Sequence, residues 1–252
     1  ETRTMSSSIS QAVRELAEPK LAEFTAKLIP TVDPARILGV RMPALRKLAK
    51  KLLREHPQEV TEFKAAVPHD FQEEDLLHVL LLNEERDFAT WHAEITNFLP
   101  YMTNWILTDA VSPACVKGGK AANLPQLERA CLDWLVDDRV YVQRLGTVVL
   151  MSLQGTEYFS PEHLRAVAAL AGSEEYYVRV AVAWYLAEAL ARQEPAALPW
   201  FALADSSGSA DSPGLPAVTL RMAITKAIES RRISDELKAE LRQIRSTLPR
   251  RS

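Results

Sequence analysis

The sequence predicts an all-α protein built from stacked helical hairpins, and three observations carry that expectation. Glycine is scarce, 8 residues in 252, against abundant Ala, Leu, Glu and Arg, a composition that favours helix. Apolar residues recur at helical spacing in segment after segment, and no useful length alternates with the period of two that a strand needs. The third observation is an internal repeat. LPQLERACLDWLVDDRVYVQRLGTVVLMSL lies over SPEHLRAVAALAGSEEYYVRVAVAWYLAEA at an offset of 36 residues, Leu124 against Ser160 and Tyr141 against Tyr177. Each copy reads as a helix, a short acidic turn and a second helix opening on Tyr-Val. That period is near the roughly 40 residues of HEAT and armadillo repeats. The expected architecture is a HEAT-like or armadillo-like helical-repeat solenoid, an α-α superhelix with a concave basic groove.

The elements follow in order. SSISQAVRELAEPKLAEFTAKLIP opens with serine caps and stops at Pro30. RMPALRKLAKKLLREHP carries Pro43 in its first turn and Leu45, Leu48 and Leu52 at helical spacing. PQEVTEFKAAV, EEDLLHVLLLNEER and DFATWHAEITNFLPYM read as further helices, and the two repeat copies come next. DSSGSADSPG, residues 205–214, reads as a flexible loop and not a domain linker, because helical text resumes after it. Glu1 to Thr4 precede a Met and read as a cloning remnant, so a single domain is expected over residues 5–252.

Composition excludes several classes. The hydrophobic fraction is 47% and the charged fraction 25%, as in a soluble globular chain. No apolar run reaches the roughly 20 residues of a membrane span, and the start carries no hydrophobic signal segment. Two cysteines, Cys115 and Cys131, make no disulfide framework, which fits a reduced cytoplasmic compartment. There is no phosphate-binding glycine loop, no C-x-x-C, and no metal-ligand spacing among the five histidines, so neither metal nor cofactor is expected. The net charge of −3 conceals a strong pattern. Seven bases and no acid lie between Arg36 and Arg54, and nine bases between Arg221 and Arg251, while Glu55 to Glu94 is acidic. Bases that share a face bind a polyanion whatever the net charge.

The residues able to carry chemistry are few. Trp105 and Asp109, in TNWILTDAVSP, are four apart and share a helical face. Arg144, in YVQRLGTVVLM, lies in the second helix of its repeat. Trp184, in YYVRVAVAWYLAEAL, occupies the position that Val148 holds one repeat earlier. Taken singly, the tryptophans also read as core residues, Asp109 as a solvated or capping acid, and Arg144 as a surface cation. Taken together they could line one patch.

RILGVRMPALRKLAKKL, NWILTD, YVQRLGTVVLM, YYVRVAVAWYLAEAL and ITKAIESRRIS occur in this order. In this the chain resembles the AlkD-like DNA alkylation repair family, HEAT-like-repeat DNA glycosylases, over roughly residues 30 to 245. The resemblance implies a site of Trp105, Asp109, Arg144 and Trp184. It implies a monofunctional, metal-free hydrolase that excises N3- and N7-alkylated purines from double-stranded DNA, the first step of base excision repair. Asp109 would face the developing oxocarbenium, Trp105 and Trp184 would hold the deoxyribose, and Arg144 would grip a phosphate. Arg41, Arg46, Lys47, Lys117, Lys120, Arg179, Lys226 and Arg231 are the further expected DNA contacts, with Glu73, Glu74, Glu84 and Glu85 outside the groove. The chain departs from the family at Arg221 and Met222, where a more polar stretch is expected, and in the loop at 205–214. A cytoplasmic, nucleoid-associated monomer follows. The competing class is a non-catalytic HEAT-repeat module that binds DNA or protein, from which Asp109 with its two tryptophans is the discriminating feature. Alkyl transfer to a protein thiol would need a reactive cysteine, and neither Cys115 nor Cys131 sits in a motif for it.

Overall fold

The computed structural model describes residues 7–117, 121–204 and 213–249. The remnant read at 1–4, Lys120, and all but the last two residues of the 205–214 loop lie outside the described residues. The structure is all-helical, as the composition and periodicity predict, and the chain divides into two compact units, Glu1–Asn123 and Leu124–Ser252.

In the first unit the helices are α1 (Ser7–Arg14), α2 (Pro19–Leu28), α3 (Met42–Glu55), α4 (Pro57–Ala65), α5 (Gln72–Asn83), α6 (Phe88–Phe98) and α7 (Trp105–Ala110). Proline in the first turn starts α2, α3 and α4, where its missing N–H costs nothing. Asp87 caps α6 by accepting from Thr90 N at 2.8 Å. The α5 helix is the centre of this unit: every residue from Gln72 to Leu82 is buried, with α3, α4, α6, α7 and α1 packed around it. That burial includes three consecutive acids, Glu73, Glu74 and Asp75. Glu73 and Glu74, expected outside the groove, are thus interior and not solvated, while Glu84 is exposed and Glu85 half-buried.

The second unit holds α8 (Leu124–Leu135), α9 (Val140–Leu150), α10 (Pro161–Ala168), α11 (Tyr176–Arg192), α12 (Glu194–Ala197), α13 (Ala217–Glu229) and α14 (Asp235–Thr247). The two repeat copies appear as the pairs α8–α9 and α10–α11. Gly146 lets α9 lie close on α8, since a Cβ there would stand 2.8 Å from the Cys131 carbonyl oxygen. The α11 helix packs between α9 and α13. The repeat register is visible in space: Tyr141 and Tyr177, equivalent at the offset of 36, bring their rings to 6.0 Å. Leu203 and Leu215 form an isolated β-bridge. Among the described residues no helix is long and apolar enough to cross a membrane.

Candidate functional site

The candidate residues of the first unit, Trp105 and Asp109, sit on α7, a six-residue helix. So short a helix has little stability of its own, and its start is fixed by a buried amide pair. Asn104 is its N-cap, accepting from Ile106 N at 3.0 Å. Its side chain meets Gln72 of α5 in reciprocal hydrogen bonds, Asn104 Nδ2 to Gln72 Oε1 at 2.8 Å and Gln72 Nε2 to Asn104 Oδ1 at 3.3 Å. Trp105 follows directly. It is half-buried and packs on the cluster of Ile29, Val32 and Ile37. Its indole N–H donates to the Leu28 carbonyl oxygen at 2.9 Å. Asp109 is half-buried on the same helical face one turn on, with its Oδ1 3.0 Å from the Thr108 hydroxyl. The ring is thus held on two sides, with a carboxylate one turn along.

Two further candidate residues, Arg144 and Trp184, belong to the second unit. Arg144 on α9 is only 4% exposed, so its reading as a surface cation does not hold. Its guanidinium donates to the Tyr177 carbonyl oxygen at 2.8 Å, at the start of α11. Trp184 is half-buried although Ala183 and Tyr185 beside it are fully buried. It shares a half-exposed stripe of α11 with Tyr177, Val180 and Glu188, as Val148 does with Tyr141 on α9. Trp184 is therefore not swallowed by the core.

The expected DNA-contacting cations divide into those already engaged and those open to solvent. Arg36 is bound to Asp75 at 3.1 Å and to the carbonyls of His69 and Asp70 at 3.0 Å. Arg41 is exposed and forms a two-pronged pair with Glu18 at 2.7 and 2.8 Å, which lowers the Glu18 carboxyl below its usual range. Arg46, Lys47, Lys50, Lys51 and Arg54 share the outer face of α3 and line a cleft of about 600 Å³ with Leu16, Ala44 and Leu48. Lys51 and Arg54 both pair with Glu55. Lys117 and Arg231 are exposed, and Lys226 is half-buried. Arg179 is half-buried and donates to the Ser173 carbonyl at 2.5 Å. Arg221 of α13 ties down the end of the chain through the carbonyls of Leu248 and Pro249, at 3.2 and 2.7 Å. The unexpected base at that position thus has a structural partner.

Cys115 and Cys131 are both fully buried and not disulfide-bonded, and burial pushes the Cys131 thiol well above its usual range. Such a thiol is a poor nucleophile. Sequence reasoning missed the buried acids of α5 and a ring cluster in which His69 Nε2 lies 2.9 Å from His78 Nδ1, between Phe63 and Phe98. No periodicity distinguishes a buried histidine from an exposed one.

A search of curated proteins finds no significant match. The family model described as DNA alkylation repair enzyme matches residues 9–227, most of both units. The chain belongs to the DNA alkylation repair enzyme family.

Proposed function

We propose that this protein is a DNA glycosylase that hydrolyses the N-glycosidic bond of N3- and N7-alkylated purines in duplex DNA, and that its helix pairs are HEAT-like repeats. An alkylated purine of this kind is cationic and departs as a neutral base, so its glycosidic bond is weak and no acid is needed to protonate it. The barrier lies in the positive charge that grows on the sugar. Water attacks C1′, the base leaves with the bonding electrons, and the water proton is released.

The observation that carries the reading is the pairing of Trp105 with Asp109 on α7. A half-buried carboxylate, fixed one turn from a fixed indole, is preorganised for a developing oxocarbenium. Asp109 stabilises that charge and orients the water. Trp105 and Trp184 present aromatic surface to the deoxyribose and its flanking backbone. Arg144, braced by the Tyr177 carbonyl, holds a phosphate. Arg46, Lys47, Lys50, Lys117, Arg179, Lys226 and Arg231 add phosphate contacts that carry no sequence information.

The test is to incubate the protein with duplex DNA containing 7-methylguanine and to measure free base and abasic sites. Asp109→Asn keeps the shape and removes the charge. It should bind the duplex as the parent does and excise about 10²–10³-fold more slowly. Excision at the parental rate would make Asp109 a helix acid without a catalytic role. Duplex binding with no excision by the parent would favour the non-catalytic binding module.

A further inference from the structure

Beyond the residues assigned so far, the buried acids of α5 form a connected support for Trp105. Glu73 is 3% exposed and turns its carboxylate to two consecutive backbone amides, accepting from Leu38 N at 2.9 Å and from Gly39 N at 2.7 Å. A buried carboxylate is costly unless donors surround it, and here the backbone supplies them. Gly39 in turn is locked against α2. It has φ +74°, and a Cβ on it would stand 2.2 Å from Ala22 N. Its carbonyl accepts from Glu18 N, at the start of α2, at 2.8 Å. Ala22 belongs to the side chains packed with Trp105 on the Ile29, Val32 and Ile37 cluster, and Leu28 at the other end of α2 accepts the indole N–H. Asp75 fastens the same segment through Arg36, one residue before Ile37. Glu74 accepts from Asp70 N and Phe71 N at 3.0 and 3.1 Å and pairs with the Ser10 hydroxyl of α1.

We propose that Glu73, seconded by the Arg36–Asp75 pair, is a positioning residue for Trp105, acting through the Gly39 loop and helix α2. The proposal depends on the glycosylase reading only for its effect on excision. The carboxylate geometry is specific to the charged group. In Glu73→Gln one of the two oxygens becomes an NH₂, which cannot accept from a backbone N–H, so one of the two amides loses its partner. The loop and the α2 helix that hold the indole should then shift.

The readout is the set of indole N–H resonances of the five tryptophans in a ¹H–¹⁵N spectrum, with Trp105 assigned by its loss in Trp105→Phe. In Glu73→Gln the Trp105 signal should move or broaden, while those of Trp134, Trp184 and Trp200 in the second unit stay in place. Excision at saturating enzyme should slow by roughly tenfold or more with duplex affinity unchanged, the signature of a displaced catalytic group. Arg36→Ala is the second variant. Its side chain is 38% exposed and fastens the segment through Asp75, so its loss should move the same resonance by less. A Trp105 signal unmoved in folded Glu73→Gln overturns the proposal. Should Glu73→Gln fail to fold, an unmoved signal in Arg36→Ala overturns it instead. A moved signal with no excision by the parent protein leaves the positioning role standing and removes the glycosylase reading.

Discussion

The indole N–H of Trp105 donates to the carbonyl oxygen of Leu28, 77 residues earlier in the chain, at 2.9 Å. A residue that the sequence marks as an aromatic surface for a sugar is therefore also a structural tie between α7 and the end of α2. Trp105→Phe separates the two roles, because it keeps the aromatic face and removes the donor. We expect a loss of about 0.5–1.5 kcal/mol in stability, the usual net value of one hydrogen bond. Chemical denaturation of the two proteins checks it, and equal midpoints and slopes would show that this bond adds nothing.

Gly39 is the position where a methyl group costs most. Its positive φ disfavours any side chain by about 1–2 kcal/mol, and the added Cβ also collides with the α2 backbone. Gly39→Ala should lower the melting temperature clearly. Gly172→Ala is the matched control, since a Cβ there meets nothing within 4 Å. It should be neutral or stabilising by at most about 1 kcal/mol. A pair of variants with equal melting temperatures would contradict the account of the Gly39 loop.

Acid should destabilise the protein through the buried histidines. Burial pushes His69 down to about 4 and His78 to about 3, against an ordinary value of 6.5. A depressed histidine contributes stability that is present above pH 6.5 and lost as the pH falls through its folded value. Asp75 runs the other way. Burial raises it to about 7, opposed by Arg36, so its contribution is present below its ordinary value of 3.8 and lost as the pH rises through about 7. Between roughly pH 4 and 6.5 two histidines oppose one aspartate, and stability should fall on acidification. Asp75→Asn removes the opposing group and should steepen that fall. Urea midpoints measured across this range decide it, and a shallower dependence in the variant would refute the assignment.

The outer face of α3 predicts a salt dependence. Lys47 and Lys50 are exposed and make no ion pair with a described residue, whereas Arg41 is held by Glu18. Each phosphate neutralised contributes about 0.9 to the slope of log affinity against log salt for duplex DNA. Lys47→Ala and Lys50→Ala should each flatten that slope by nearly this amount, and Arg41→Ala by less. Arg144→Ala should flatten it by about one unit, as for any phosphate contact. Salt titrations of duplex binding test all four, and unchanged slopes would place the DNA elsewhere.

Much of this was legible in the chain itself. The all-helical class, the first turns at Pro43 and Pro57, and the repeat that brings Tyr141 onto Tyr177 rest on short-range rules, whereas the segment read as one helix up to Pro30 is broken in two, with α2 starting at Pro19. Periodicity, caps and proline geometry act within one or two turns, so they are written locally. The ordered motifs around Trp105, Asp109, Arg144 and Trp184 likewise pointed to the family that the model match establishes. Burial was not legible. Glu73, Glu74 and Asp75 look like a solvated acidic run, because a carboxylate has the same letters whether it meets water or backbone amides. Only the packing of α1, α3, α4, α6 and α7 around α5 decided that these acids are interior, and only the path of the Gly39 loop supplied the N–H groups that make this tolerable. The same holds for Arg144, whose sequence neighbourhood does not reveal that a carbonyl 33 residues away holds its guanidinium. Local pattern sets which elements form; which polar groups lose water depends on contacts between residues far apart in the chain, and those exist only once it has folded.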